Sequence, residues 1–506
     1  MDSVHHIWCP LSSQEFQDLP DGAETTLTIN RDTQVKKTNH AGPINAIPPV
    51  LWLQAAIITL GAFATMLSST MLSAALPAMA NGLGVTDASI QWIATAYLMA
   101  LAAGVPVSAW AVKRFGATQF WLYALILFGV FSAVCALSPN VEVLLAARIM
   151  QGLAGGLLVP AGQTILGLVV GRERLGRIIG TIGVAIVIAP LLGTSLGAVL
   201  LQVCGWRVLF FINVPLSLCA WLAGWKLLPR PTIKNDKPLS LDWMGLILIL
   251  CSLPLLMEGI KGVSLNSGEN SGNIILLSVG ALFIGLFIFR SFRIDSPLLH
   301  LSLFKHRGFT LSALLMAIGG AVNFGGQFLL PLYFRDVCHE ALADVGLLLT
   351  PQLIGSAIGF PVAGYFSDRL GPRVVLIVGG LLSVLATWPL ALIDGGSSYL
   401  LVGSALAIRG FGLALATVPA MAAGLAMAGT RHVSDAAPIL NILQRVGAMA
   451  GAALVTACYV RLAHTQGSLA AFQHAGWILI SGAILLTLSA LFMVNHQGSS
   501  TREETR

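Results

Sequence analysis

Three arginines lie where a charged side chain is expensive. Arg148, Arg409 and Arg445 each fall inside a long apolar run. On insertion scales such a charge costs about 2.5–3.5 kcal/mol at a helix centre, so residues of this kind mark substrate or ion paths by default. Gln151 lies three residues after Arg148 and shares its helical face. Asn441 and Gln444 lie on or beside the face of Arg445. Polar residues recur in the first apolar run (Thr65, Ser68, Ser69, Thr70, Ser73) and later at Asn323, Gln327 and Gln352. A wet central cavity lined by these groups would satisfy them. The plainer alternative is that each guanidinium ties helix ends to carbonyls or headgroups. That alternative fits Arg409 best, near the outer end of its run. Arg148, in the middle of its run, and Arg445 read as substrate or coupling groups.

Carboxylates, the natural counter-charges, are almost missing from these runs. Asp87, Glu142, Asp344 and Asp435 lie at run ends. Glu258 is the one acid inside a run, near its outer end, and Asp242 opens the same run at the expected interface. Three arginines with at most one acid make an interior that disfavours a lipophilic cation and suits an anionic or neutral compound.

Composition fixes the setting of these charges. Of 506 residues, 56% are hydrophobic and only 10% charged, against about 25% charged in soluble proteins. A soluble enzyme, a disordered chain and a nucleic-acid-binding protein are excluded. A β-barrel is excluded too, because its segments are short and alternating. The seven cysteines are scattered without a CxxC pattern and read as packing residues. His5, His6 and Cys9 lack a fourth ligand at sensible spacing, so no metal is expected.

The expected fold is an all-α polytopic membrane protein. A helix needs about 20 residues to cross the hydrocarbon core. Fourteen transmembrane helices are expected, at 51–75, 88–110, 119–138, 141–163, 178–201, 208–228, 241–262, 273–293, 308–331, 341–364, 373–393, 398–427, 434–461 and 473–494. Residues 1–50 are a polar tail without the features of a signal peptide. With both termini inside, only Arg207, Lys261, Arg335 and Arg461 fall in external loops. Apart from the three buried arginines, the rest of the 28 Lys and Arg then lie on the cytoplasmic side. That bias obeys the positive-inside rule.

A long-period repeat divides the chain. The loop after span 2 reads Ala109-Trp110-Ala111-Val112-Lys113-Arg114-Phe115-Gly116, and the loop after span 10 reads Gly364-Tyr365-Phe366-Ser367-Asp368-Arg369-Leu370-Gly371-Pro372-Arg373. Arg148 is followed by Pro160, and Arg409 by Pro419. We therefore expect a cytoplasmic tail (1–50), a six-helix bundle (51–228), a two-helix insert with linkers (229–307), a second six-helix bundle (308–494) and a C-terminal cytoplasmic tail (495–506). Two six-helix halves around a central site are transporter architecture.

These motifs resemble the major facilitator superfamily, and within it the 14-helix drug:proton antiporters of the EmrB/QacA type. Gly364, Asp368, Arg369, Gly371 and Arg373 match that family's cytoplasmic loop signature, and Arg114 and Gly116 its weaker copy in the first half. Lys113 stands where the family usually has Asp, so the loop latch that the resemblance implies would be carried mainly by Asp368. Leu144, Arg148, Gln151 and Gly152 look like the helix 4 signature. Ala189, Pro190, Gly193 and Gly197 look like the antiporter signature in span 5, in part only, since Thr194 and Ala198 differ. Trp206, Arg207, Phe210, Asn213, Val214 and Pro215, and Pro297, Leu298, Leu299 and Phe304, look like stretches of the 14-helix group.

One family residue is missing. Ser68 stands where these antiporters usually carry an Asp in span 1, and Ser73 where they carry Asn. A hydroxyl cannot titrate near neutral pH. The resemblance implies export of small amphiphilic compounds by proton antiport and alternating access. It implies a proton gradient rather than a cofactor. No GxxxxGK[ST] loop for ATP is present. Organic-anion or metabolite uptake or exchange, and a transporter-like sensor, remain open as alternatives. The expected setting is the inner or plasma membrane, the protein working as a monomer in the lipid bilayer. A periplasmic adaptor and outer-membrane channel are known partners of some relatives.

Overall fold

The computed structural model describes residues 47–171, 174–230, 242–265, 271–294, 297–340, 342–393 and 398–493. Most of the N-terminal tail and residues 494–506 lie outside the described residues. So do the structural surroundings of His5, His6 and Cys9.

The chain folds as a succession of helices. They are α1 (Pro49–Leu83), α2 (Asp87–Phe115), α3 (Ala117–Ala136), α4 (Val141–Val169), α5 (Leu175–Cys204), α6 (Val208–Phe211), α7 (Asn213–Leu227), α8 (Trp243–Leu265) and α9 (Ser271–Ser291). Then come α10 (Arg307–Asp336), α11 (Leu342–Leu348), α12 (Thr350–Leu370), α13 (Pro372–Ala391), α14 (Tyr399–Gln466) and α15 (Ser468–Leu491). Helix α14 is two segments joined at Gly429, whose φ of 66° and ψ of 178° break the helical path. Among the described residues, 12 helices are long and apolar enough to cross a membrane. Helices α5 and α8 carry shorter apolar stretches, Leu175–Pro190 and Trp243–Leu256, at the places of the fifth and seventh expected spans. Between twelve and fourteen crossings are thus consistent with the fourteen expected from sequence.

Most helices outrun the expected spans because local caps, not the hydrocarbon edge, end them. Thr86 Oγ1 accepts the Ser89 amide before α2, and Asn140 Oδ1 accepts the Val143 amide before α4. Gly84 closes α1 in the left-handed conformation. Gly116 and Gly371 each form a one-residue turn, at φ 84° and 83°. Only glycine reaches such a φ without strain. The two turns join α2 to α3 and α12 to α13, so the sequence repeat is also a conformational one.

The outer surface is apolar, as a lipid-facing surface must be: Leu137, Val203, Leu400 and Phe492 are all strongly exposed. Inside, small residues bring helices close. A Cβ on Gly104 would sit 2.5 Å from the Leu153 carbonyl, and one on Gly156 would strike the Leu101 carbonyl, so α2 and α4 pack backbone to backbone. Gly447 faces the Ala317 carbonyl in the same way between α14 and α10. Helix α9 packs on α8, and α8 also touches α2 and α14. Asp242 ties the base of this hairpin, accepting Arg290 Nε at 2.9 Å and the Gly245 amide at 2.9 Å.

These seams make a prediction. Gly156→Leu should lower the thermal midpoint of the detergent-solubilised protein sharply, by an overpacking penalty of about 1–3 kcal/mol or more. Gly285→Leu on α9, where nothing lies within 4 Å of a new Cβ, should change it little. Fluorescence-detected size-exclusion after a heat step reads both.

Candidate functional site

Arg148 is fully buried, and not in the middle of its helix. It lies seven residues from Val141 in a helix of 29, roughly 10 Å from that end. Nη1 donates to Ser68 Oγ at 3.0 Å and to Gln151 Oε1 at 2.8 Å. Gln151 Nε2 then donates to Ser132 Oγ at 2.8 Å, and Ser132 to the Phe210 carbonyl at 2.9 Å. The guanidinium carbon is 4.2 Å from the centre of the Tyr97 ring and 5.1 Å from that of Phe210. Tyr97 Oη donates to the Thr65 carbonyl at 3.0 Å. Neutral dipoles and ring faces thus hold this charge. Nε finds no partner among the described residues.

The second half repeats the device. Arg409, ten residues into α14, is equally buried and so lies deeper than the run end expected for it. It donates to the Val322 carbonyl at 2.6 Å and to Gln352 Oε1 at 3.2 Å. A Cβ on Gly326 would collide with this guanidinium, so the glycine makes its room. Arg148 therefore ties α4 to α1, and Arg409 ties α14 to α10 and α12. Arg445 differs. It is only partly buried, and among the described residues it makes no hydrogen bond or ion pair. It lies within electrostatic range of Tyr97 in the opposite half.

The two halves meet on the face that carries Gly116 and Gly371, called the inner face below. Asp368, at the end of α12, accepts the Gly176 amide at 2.9 Å on Oδ1. Its Oδ2 accepts the Arg177 amide at 3.1 Å and Arg177 Nε at 3.0 Å. It caps the start of α5, where free amides and the helix dipole favour an anion. Gly176 and Gly364 allow the approach, since a Cβ on either would meet the other's carbonyl. Lys113 at the end of α2 reaches Asp435 Oδ1 at 2.6 Å in the second segment of α14. Deeper in, Asn441 Nδ2 donates to Gln163 Oε1 at 2.6 Å.

Two expectations change here. Asp435, expected at a run end, lies six residues past the break at Gly429, and its side chain is fully buried between the halves. The first-half loop is not idle, because Lys113 makes a cross-half ion pair of its own. The family-like carboxylate is replaced by an ammonium, and the partner is an acid.

The other expected residues are more dispersed. Helix α5 runs unbroken through Pro190. Gly193 faces Thr70 and Gly197 faces Met71, so the outer part of α5 lies against α1. Thr70 Oγ1 donates to the Met66 carbonyl at 3.1 Å and the Leu67 carbonyl at 3.2 Å. Glu258 is partly buried in the hairpin helix α8. Arg114, Arg369 and Arg373 are exposed at the inner face, with Arg369 4.4 Å above the Tyr365 ring. Among the described residues no three His, Cys, Asp or Glu converge as a metal's donor set. Sequence reasoning missed Tyr97, Ser132 and Gln163, and marked Phe210 only as part of a family-like stretch. Gln163 alone had a signal, an amide in an apolar run three residues after Pro160.

A multi-helix bundle with charges held inside it and ion pairs joining two halves is the architecture of a membrane transporter. Residues 58–452 match the Major Facilitator Superfamily, and the chain belongs to it. It is a multi-pass membrane transporter. It is 28% identical over 394 residues to the multidrug resistance protein B homolog of Mycobacterium tuberculosis, covering 76% of this chain and 72% of that one. It is 26% identical over 417 residues to the multidrug export protein EmrB of Haemophilus influenzae, covering 81% of each. The structure of the human organic anion transporter MFSD10 superposes with a TM-score of 0.60 at 17% identity. That match covers 87% of this chain and 100% of that one, a likeness of fold.

Ser68 sits 3.0 Å from Arg148, which has no carboxylate partner among the described residues. Ser68→Asp should give it one and raise the thermal midpoint by a few degrees. Ser68→Leu should lower it, by leaving a buried donor unpaired. Both are read by the same heat-step assay.

Proposed function

We propose that this protein exports small amphiphilic compounds, multidrug-type, by proton antiport with alternating access. The observation that carries the reading is the double use of α5. Its outer part lies on α1 of its own half through Gly193 and Gly197. Its inner part lies on α12 of the other half through Gly176 and Gly364. A helix with Pro190 between two glycine seams can part from one neighbour while keeping the other. The contacts on the inner face then belong to a state closed on that side. The names of the relatives, multidrug resistance protein B homolog and EmrB, support efflux. In this reading the inner face is cytoplasmic, both termini are inside, the membrane is the inner or plasma membrane, and a proton gradient supplies the energy. The protein works as a monomer, with an adaptor and outer-membrane channel joining only in a two-membrane cell.

A second reading, transport of an organic anion, is favoured by Arg445. Among the described residues it makes no hydrogen bond or ion pair, so an anionic substrate would find a cation available there.

Both are tested in proteoliposomes with an imposed pH gradient and a fluorescent internal pH reporter. Under the first reading a lipophilic cation, and not an organic anion of similar size, drives proton movement. Under the second the anion does, and Arg445→Gln reduces that flux at least about tenfold, the loss of one charge-assisted bond of about 1.5–3 kcal/mol. No proton movement with either compound would refute proton antiport for these substrates.

A further inference from the structure

Two amides meet between the halves and leave much of their bonding capacity unused. Asn441, in the second segment of α14, donates from Nδ2 to Gln163 Oε1 at 2.6 Å and to the Ala437 carbonyl at 2.7 Å. A carbonyl only accepts, so the second bond fixes which way the Asn441 amide points. Gln163, on α4, must then turn its oxygen toward Asn441. Both N–H groups of Asn441 are thereby spent. Asn441 Oδ1 and Gln163 Nε2 have no hydrogen-bond partner among the described residues. The two side chains are 8% and 5% exposed, buried but not sealed.

The surroundings make this pair a floor. One turn nearer the inner face, a Cβ on Gly167 would lie 2.5 Å from Val433 Cγ2, so α4 and α14 touch below it. One turn the other way along α14, Arg445 shares the face of Asn441. It lies within electrostatic range of Tyr97 in the opposite half. A buried donor beside a buried acceptor is costly to leave unmatched. A group that matches both must accept from Gln163 and donate to Asn441. A C=O and an N–H on one edge do so, as in a primary carboxamide, a lactam or an imide. A carboxylate or an ester does not, since it only accepts and sets an oxygen against Asn441 Oδ1. Such an acceptor belongs instead at Arg445, about 6 Å along the helix axis.

We propose that Gln163 and Asn441 form a recognition subsite for the amide-type edge of a transported compound whose acidic end faces Arg445. The Arg445 end rests on the organic-anion reading above; the amide subsite needs only that compounds bind between the halves. The substrate class is then a flat apolar body that carries a neutral N–H/C=O edge. An acid group about 6 Å from that edge completes the match.

The test measures binding to the full chain in nanodiscs by isothermal titration, with no gradient imposed and empty nanodiscs as the control. The probes are 1-naphthamide, methyl 1-naphthoate of similar size, and 4-carbamoyl-1-naphthoate, which adds a carboxylate across the ring. The amide should bind about tenfold more tightly than the ester, since the ester leaves the Asn441 acceptor unmatched. Asn441→Leu and Gln163→Met should each bring the two affinities together and leave that of the ester nearly unchanged. Comparing two probes on one sample cancels any loss of folded protein. The added carboxylate should tighten binding about tenfold further, and Arg445→Gln should remove that gain alone. Equal affinity for amide and ester, or an undiminished preference in both amide variants, overturns the subsite. A carboxylate that adds nothing overturns the Arg445 end. Absence of proton movement in the proteoliposomes refutes antiport and leaves these binding outcomes untouched, so the two failures are distinct.

Discussion

The inner face depends on a carboxylate seated on the start of a helix. Asp368 takes two backbone amides and a guanidinium from the first turn of α5. Those amides have no acceptor within their own helix. In a membrane protein an unpaired N–H away from water costs several kcal/mol, so the bond satisfies α5 and joins the halves in one act. It works only because the backbones touch. Gly176 and Gly364 are pressed so close that a side-chain carbon on either would collide with the other. The contact is therefore specified twice, by the charge of Asp368 and by the absence of bulk beside it.

The interior arginines obey the same requirement. A buried guanidinium has five N–H groups to place, and the bonds that Arg148 and Arg409 make among the described residues go to no carboxylate. Arg148 uses a hydroxyl, an amide and two aromatic faces; Arg409 uses a carbonyl and an amide. Each ties a helix to the first helix of its own half, α1 or α10. The repeat seen in sequence is thus a repeated staple, and the charges hold each half together. Arg445 falls outside this pattern, which is why a substrate role rests on it rather than on Arg148.

Much of the fold was legible because hydrocarbon thickness sets a length that apolar runs must meet. Gly116 and Gly371 marked turns because the loops around them matched. Depth and partnership were less legible. Arg148 read as mid-span although the expected span and helix α4 both start at residue 141; it stands only seven residues from that start. Asp435 read as a run-end acid, because burial between halves is made by residues hundreds of positions away. Lys113 read as a lost acid for the same reason. Its meaning appears only when Asp435 stands opposite. Tyr97 gave no signal, since an aromatic ring under a cation looks in sequence like any other apolar residue; Phe210 was marked only by a family-like stretch, not as a ring under Arg148.

The hairpin of α8 and α9 has a bearing on how compounds arrive. Helix α8 touches α2 on one half and α14 on the other. Helix α9 packs on it and leaves most of its own apolar residues exposed. A greasy molecule dissolved in the leaflet on that flank meets a two-helix fence where the halves adjoin. Lateral entry from lipid is thereby restricted to directions the fence does not cover. The same fence must slide against at least one half whenever the two part, so the fluidity of the surrounding lipid becomes a load on the cycle.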